Sequence, residues 1–284
     1  MKCLLCSLLG FILVAVLLGH SFATTEPAVI ERAITKTFPA APGGVFHLET
    51  GGGKIDLQSS STDKVVTIHA KEKIHADNEA NADEILKRLT LSFAQQGNNI
   101  VARAKYEGAR SLFHSGSWPP VQVDFVVSVP ASFSVELDSG GGRVTVGDLA
   151  GPVRARTGGG ELNLGRISGE VEASTGGGSV RIESVANTLQ ASTGGGSLRA
   201  VISGALKGDS EVQTAGGSIN LTVDRTAAFA LDAVASGSNV DINGLPITVA
   251  AGGPGRGQLA GRVNGGGPLL KLRSSNGSIE LLTR

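Results

Sequence analysis

The chain is poor in cysteine, in aromatic side chains, in net charge and in long hydrophobic runs, and these shortages remove several classes of function. Its 284 residues carry 25 Lys+Arg against 25 Asp+Glu, so there is no basic excess for a phosphate backbone and nucleic-acid binding is excluded as a main role. Aromatics make up 4% and charged residues 18%, while glycine stands at 41 residues. The glycines cluster and do not recur at every third position, which excludes a collagen-like triple helix. A 40% hydrophobic content in a chain of this length supports a sizeable core and argues against disorder.

Only two cysteines occur, Cys3 and Cys6, and both precede the single long apolar run, Leu8 to Leu18. Lys2 lies ahead of that run and Ser21-Phe22-Ala23 behind it. Residues 1–23 therefore have the layout of a secretory signal peptide cleaved after Ala23. The run is shorter than the roughly 20 apolar residues of a spanning helix. Neither cysteine stands at the end of the run, where a lipoprotein cysteine would have to be. The expected mature chain is secreted or periplasmic, not membrane-spanning, and free of cysteine in an oxidising compartment. That excludes disulfides, thiolate metal sites and cysteine nucleophiles.

What the sequence has in abundance is a repeat. Val135 to Val144, Val153 to Leu162, Val171 to Val180 and Leu189 to Leu198 align on Gly140, Gly158, Gly176 and Gly194, a spacing of 18 residues each time. Weaker copies surround Gly216, Gly237 and Gly277, and an earlier one runs from His47 to Leu57. On both sides of the glycines apolar and polar residues alternate, as in Val171 and Ala173 before and Val180 and Ile182 after. Period two predicts half-buried strands. Each unit then consists of a strand, a Gly-rich corner, a second strand and a second turn marked by Gly151-Pro152, Ser168-Gly169 or Ala186-Asn187. A unit so small cannot bury its own apolar face, so neighbours must stack at about 4.8 Å. The expected fold is an all-β, single-chain β-solenoid (β-helix) of 18-residue coils over residues 131–284.

At the corner, positive φ or close backbone approach requires glycine, and stacking would align Gly140, Gly158, Gly176, Gly177, Gly194, Gly195 and Gly216 in a ladder. Gly177→Val should accordingly be far worse than Ser179→Val. Thr157, Thr175, Thr193 and Thr214 stand just before the glycines on the inward parity, and their hydroxyls are expected to satisfy corner backbone groups.

Residues 24–130 differ and suggest a β-rich cap. Asp77 to Leu89 has early acids and late bases, which suits a short helix. Leu91 to Ala94 and Ile100 to Lys105 flank Gln96-Gly97-Asn98-Asn99 as a hairpin. Such a cap would cover the open edge of the first coil. The export signal, the Thr-Gly-Gly-Gly-Ser repeats, this helix and hairpin, and the strand Val123-Asp124-Phe125-Val126-Val127-Ser128-Val129-Pro130 together resemble the bacterial candidate-adhesin family, a domain of unknown function. The resemblance covers roughly residues 40–284, with looser copies after Asp224 and a departure in the Gly/Pro-rich stretch 250–268. It implies an envelope or secreted location and an adhesive or scaffold role, and it carries over no catalytic residues.

Other site chemistries fit this pattern poorly. Calcium-binding nonapeptide repeats need an Asp after the corner, yet the equivalent positions hold Thr145, Asn163, Arg181, Arg199 and Asn220, with Asp56 and Asp241 isolated. Glycan-cleaving β-helices use paired carboxylates on one face. Here Glu136, Arg154, Glu170, Glu172 and Gln190 before the corner, and Arg143, Glu161, Ser179 and Ser197 after it, suit a solvated ladder of opposite charges. His47, His69, His75 and His114 lack metal-ligand spacing, and His20 leaves with the signal. The glycine corners lead into strands, without the helix N-terminus of a phosphate cradle, and no serine lies in a nucleophile elbow. Trp118 with Phe113 and two prolines suits cap packing better than an aromatic clamp. The expectation is an exported, non-catalytic interaction module without cofactor, its partner a surface polysaccharide or envelope protein; the competing class is a carbohydrate-active β-helix enzyme.

Overall fold

The computed structural model describes residues 29–60, 62, 64–108 and 119–284. The segment with Ala23, together with Phe113, His114 and Trp118, lies outside the described residues. The chain opens with β1 (Val29–Pro39), then β2 (Val45–Thr50) and β3 (Ile55–Ser59) around the first glycine triplet. Next come β4 (Val65–His75), α1 (Glu79–Leu86), β5 (Leu89–Gln96), β6 (Asn99–Tyr106) and β7 (Val121–Val129). Short strands follow in pairs: β8 (Ser134–Ser139) with β9 (Val144–Val146), β10 (Val153–Thr157) with β11 (Leu162–Ile167), and β12 (Val171–Thr175) with β13 (Val180–Val185). Then come β14 (Leu189–Thr193) with β15 (Leu198–Ile202), and β16 (Ser210–Thr214) with β17 (Ile219–Val223). The remainder is β18 (Phe229–Ala235), β19 (Val240–Ile242), β20 (Ile247–Gly252), β21 (Gln258–Val263), β22 (Leu269–Ser274) and β23 (Ile279–Thr283).

These strands form two long, mostly parallel sheets and no closed barrel. Sheet A has the order β1-β4-β7-β3-β9-β11-β13-β15-β17-β23-β19, and sheet B the order β20-β21-β18-β22-β16-β14-β12-β10-β8-β2-β6-β5. Each glycine corner carries the chain from sheet B to sheet A, so each repeat makes one layer. Val153 pairs with Val171 and Val171 with Leu189 in parallel, the 18-residue step of the sequence. Alternation sets the faces: in β12, Val171, Ala173 and Thr175 are buried while Glu172 and Ser174 are half-exposed. The inward residues of both sheets merge into one continuous apolar core running from Phe46 to Leu281.

Layer order departs from chain order at both ends. The layer β2–β3 lies between β6–β7 and β8–β9, and the layer β22–β23 lies between β16–β17 and β18–β19. Strands at 45–59 and 99–129 therefore belong to the same two sheets as the repeats after 131. The helix spans Glu79–Leu86, shorter than the expected 77–89, because Asn78 caps it by accepting from Asn81 N at 2.9 Å and Leu89 already starts β5. The expected hairpin at Gln96–Asn99 is present as antiparallel β5–β6. The Gly/Pro-rich stretch forms the antiparallel pair β20–β21, which together with β18 closes one end of sheet B. Antiparallel β4 and β1 finish the opposite end of sheet A.

The glycine ladder is real in its geometry but differs in its cause. Within the triplets only Gly53 and Gly142 have positive φ, +103° and +97°. Elsewhere close stacking is the constraint. A Cβ on Gly140 would sit 2.5 Å from Gly51 O, and Cβ atoms on Gly158, Gly176 and Gly194 would collide likewise with the preceding layer's carbonyl. The third glycines, Gly160, Gly178, Gly196 and Gly217, are equally blocked. The middle position is not: a Cβ on Gly177 would meet nothing nearer than 3.8 Å, and Gly195 is tighter at 3.2 Å. In the next layer, a Cβ on Gly216 would lie 2.9 Å from Gly195 O. The expected intolerance of Gly177 is thus corrected, because that residue points away from the layer beneath.

The hydroxyls bind the layers together. Thr175 Oγ1 donates to Gly160 O at 2.7 Å and accepts from Gly178 N at 3.2 Å. Thr157, Thr193 and Thr214 repeat both bonds, and Ser274 continues the column. Each buried hydroxyl thereby satisfies a corner carbonyl and a corner amide that no ladder bond reaches.

One inward residue of β4 is charged. Glu72 is only 6% exposed and shares its face with Ile68, Ala70 and Ile74. Burial raises its pKa, against the lowering influence of Arg32, its register partner on β1. Arg32 itself donates to Glu79 at 2.9 Å and Asp83 at 2.7 Å on α1. Because the folded-state pKa exceeds the unfolded one, stability is highest below the ordinary glutamate pKa and falls as pH rises through the folded value. We therefore expect Glu72→Gln to raise the melting temperature more at pH 7 than at pH 4. Scanning calorimetry at both pH values checks this, and an equal shift at the two would refute it.

Candidate interaction face

The outward residues of sheet B form two rows that run along the stack. One row is His47, Glu136, Arg154, Glu172, Gln190, Glu211, Lys271 and Asp232, and the other is Arg103, Glu49, Asp138, Arg156, Ser174, Ser192, Gln213 and Arg273. Parallel register brings these side chains together at one strand spacing, and opposite charges pair across layers. Glu172 accepts from Arg154 at 3.2 Å and Arg156 at 2.5 Å, Lys271 meets Glu211 at 2.8 Å, and Arg103 meets Glu49 at 3.3 Å. Hydrogen bonding from Arg156, with the charge of both arginines, holds the Glu172 carboxyl below the usual range. His47 Nδ1 lies 3.3 Å from Glu136. The solvated charge ladder expected from Glu136, Arg154, Glu170, Glu172 and Gln190 is present as paired charges, except that no ion pair involves Glu170 among the described residues.

In the second row the side chains pass from Arg156 to Ser174 and Ser192 and back to Gln213. Two short residues between long ones leave a trough of about 360 Å³, walled by Arg156 and Glu172 on one side and by Glu211 and Gln213 on the other. Ser192 Oγ donates to Ser174 Oγ at 3.0 Å across its floor. A second depression of about 320 Å³ continues from Ser192 past Gly194 and Thr214 to Arg273 and Ser275 at the corner. The lining is polar and contains hydroxyl, amide, guanidinium and carboxylate groups, so it offers both donors and acceptors to a hydroxyl-bearing ligand. Thr175, Thr193, Thr214 and Gly194 edge the second depression. The inward hydroxyls are engaged with corner backbone, so these residues shape the site more than they reach into it.

After the corner, on sheet A, Asn163, Arg181, Arg199 and Asn220 stand in register, and Arg143 pairs with Glu161 at 2.9 Å. Ser179 and Ser197 accept from the backbone N–H of the next layer, Ser197 and Ser218, at 3.3 Å. Asp56 lies at the other end of this face and hydrogen-bonds Gln58 at 2.8 Å. Among the described residues no three His, Cys, Asp or Glu side chains converge as metal ligands, and no helix is long and apolar enough to cross a membrane. His69 Nδ1 pairs with Thr35 Oγ1 at 2.9 Å.

The trough was not foreseen from the sequence. Its signal was available in the 18-residue alignment, where Arg156 gives way to Ser174 and Ser192 at one outward position.

No protein-family model matches the chain, and no curated protein matches it either. Among solved structures the chain is similar to a candidate cell adhesion protein from Clostridium sporogenes, with 14% identity and a TM-score of 0.36 over 90% of this chain and 100% of that one. It is also similar to a candidate adhesin from Bacteroides fragilis, with 14% identity and a TM-score of 0.36 over 88% and 97% of the two chains. A third similarity, to a candidate adhesin from Parabacteroides distasonis, has 10% identity and a TM-score of 0.35 over 88% and 97%.

Proposed function

We propose that this chain is an exported, non-catalytic interaction module, wound as a β-solenoid, that holds a hydroxyl-rich surface polysaccharide along sheet B in the manner of an adhesin or envelope scaffold. The carrying observation is the serine-floored trough between Arg156 and Gln213. It is open, polar and shallow, so affinity would come from many weak contacts repeated along an extended chain. The carboxylates that flank it favour binding over bond cleavage. Glu172 is pinned between two arginines and kept ionised, so it is not poised to donate a proton to a leaving group, and Glu211 is held in an ion pair by Lys271.

Filling the floor tests the reading. A Ser174→Gln/Ser192→Gln protein should melt like the parent, because both positions face outward, and should bind immobilised neutral polysaccharides roughly tenfold more weakly. Unchanged binding would remove the trough from the mechanism, and catalytic turnover of any polysaccharide would overturn the non-catalytic assignment.

A further inference from the structure

Charge pairing on the sheet faces is interrupted where like charges meet in register, as at Asp241 and Glu280, and at one such place two cations stand together. Arg181 on β13 and Arg199 on β15 are direct neighbours in parallel register, both exposed on sheet A. Neither side chain has a hydrogen bond or ion pair among the described residues. Like charges directly opposite across strands destabilise a sheet, and at one strand spacing of about 4.8 Å the two guanidinium groups share the same solvent region. Their register neighbours, Asn163 and Asn220, are neutral amides that supply no counter-charge. Three carboxylates lie on the strands around them: Glu161, which is engaged by Arg143; Glu183, two residues beyond Arg181 and exposed without an ion pair; and Glu280, in register beyond Asn220 and also without an ion pair. By contrast, the arginines of the sheet B rows pair with Glu49, Glu172 and Asp232.

We propose that Arg181 and Arg199 form an anion-gripping step on sheet A, which takes the sulfate or carboxylate group of an extended anionic polysaccharide. Two guanidinium forks side by side can share one oxyanion through charge-assisted hydrogen bonds, a geometry two lysine ammonium groups do not reproduce. The amides of Asn163 and Asn220 extend the step with donors and acceptors suited to the hydroxyls of neighbouring sugar units. The strand spacing is close to the length of one hexose unit, so successive layers can follow successive sugars. Between Asn163 and Asn220 the row holds no carboxylate, those of the row standing beyond this stretch at Asp56 on one side and at Glu280 and Asp241 on the other, so the stretch itself is complementary to an anion. This site lies on the sheet opposite the trough and does not depend on it.

The test measures binding of the folded chain to dextran sulfate, polygalacturonate and uncharged dextran at low salt. The expected result is binding to dextran sulfate, to polygalacturonate or to both, weakened by salt, with the two polymers separating sulfate from carboxylate recognition. Arg181→Gln/Arg199→Gln should lower that affinity roughly tenfold or more without lowering the melting temperature. Arg225→Gln/Arg256→Gln removes the same charge elsewhere and should change affinity by no more than about twofold. Arg181→Lys/Arg199→Lys keeps the charge without the forks and should fall between; it also serves if the glutamine variant does not fold. The Ser174→Gln/Ser192→Gln protein should retain full binding to the anionic polymers. The proposal is overturned if the parent binds neither anionic polymer, if Arg181→Gln/Arg199→Gln weakens dextran binding as much as it weakens binding of the anionic polymers, if both charge-removing variants lose affinity alike, or if binding of the anionic polymers follows the trough variant.

Discussion

Val180→Asp is expected to abolish the cooperative melting transition seen in the parent protein. Val180 is 1% exposed and pairs in register with Leu162 on one side and Leu198 on the other, so its side chain points into the shared core. No cation faces that position among the buried residues of the core. A carboxylate there must either lose its hydration or be buried protonated, and either course costs more than about 4 kcal/mol. Folding free energies of single domains are about 5–15 kcal/mol, so the loss approaches the whole margin. Val180→Ala, which only leaves a small void, should cost about 2 kcal/mol and keep a cooperative transition. Circular dichroism melts of both variants check the contrast, and a V180D protein that melts like the parent would mean that the residue does not face inward.

The second large effect separates two adjacent glycines. Gly178→Val drives a side chain into Gly160 O and the start of the next residue's amide, contacts between backbones that cannot yield one at a time because every layer is registered to the next. The expected penalty is about 3 kcal/mol or more. Gly177→Ala makes only ordinary van der Waals contact with Gly159, at 3.8 Å, and at an ordinary φ, so it should be neutral or stabilise by about 0.5 kcal/mol through the reduced freedom of the unfolded chain. Chemical denaturation of the two variants decides the matter; similar destabilisation of both would show that the corner demands glycine for its torsions and not for its closeness. The column of third glycines persists as Gly217 and Gly277 in layers whose first corner residue is Ala215 or Ser275, which fits the stricter constraint at the third position.

How much of this was legible in the sequence follows from where the information is local. Alternation such as Val171-Glu172-Ala173 fixes which side chains face inward, and the constant 18-residue step fixes parallel pairing, since each strand meets its counterpart one repeat away. The roles of Thr175 and Thr193 were equally readable, because a hydroxyl on the inward parity beside a turn has few partners other than backbone. Layer order at the ends was not readable. The copies at Leu231–Ile242 and Leu270–Leu281 have similar patterns, and alternation states which face is buried but not which copy it lies against. Nor did the inward Glu72 announce itself, since Lys71, Glu72 and Lys73 resemble a solvated charge run until the β1–β4 register places the middle one inside.

The displaced layer β22–β23 bears on how the protein is completed during synthesis. A chain that emerges N-terminus first exposes β16 and β17 as raw parallel edges, and β18 and β19 have no partner to join them to the stack until residues 269–283 arrive. The closing segment acts as a keystone, because β22 and β23 hold strands from earlier in the chain on both of their sides. A product cut short before Leu269 would carry two unsealed edges at once, and such edges are known seeds of self-association.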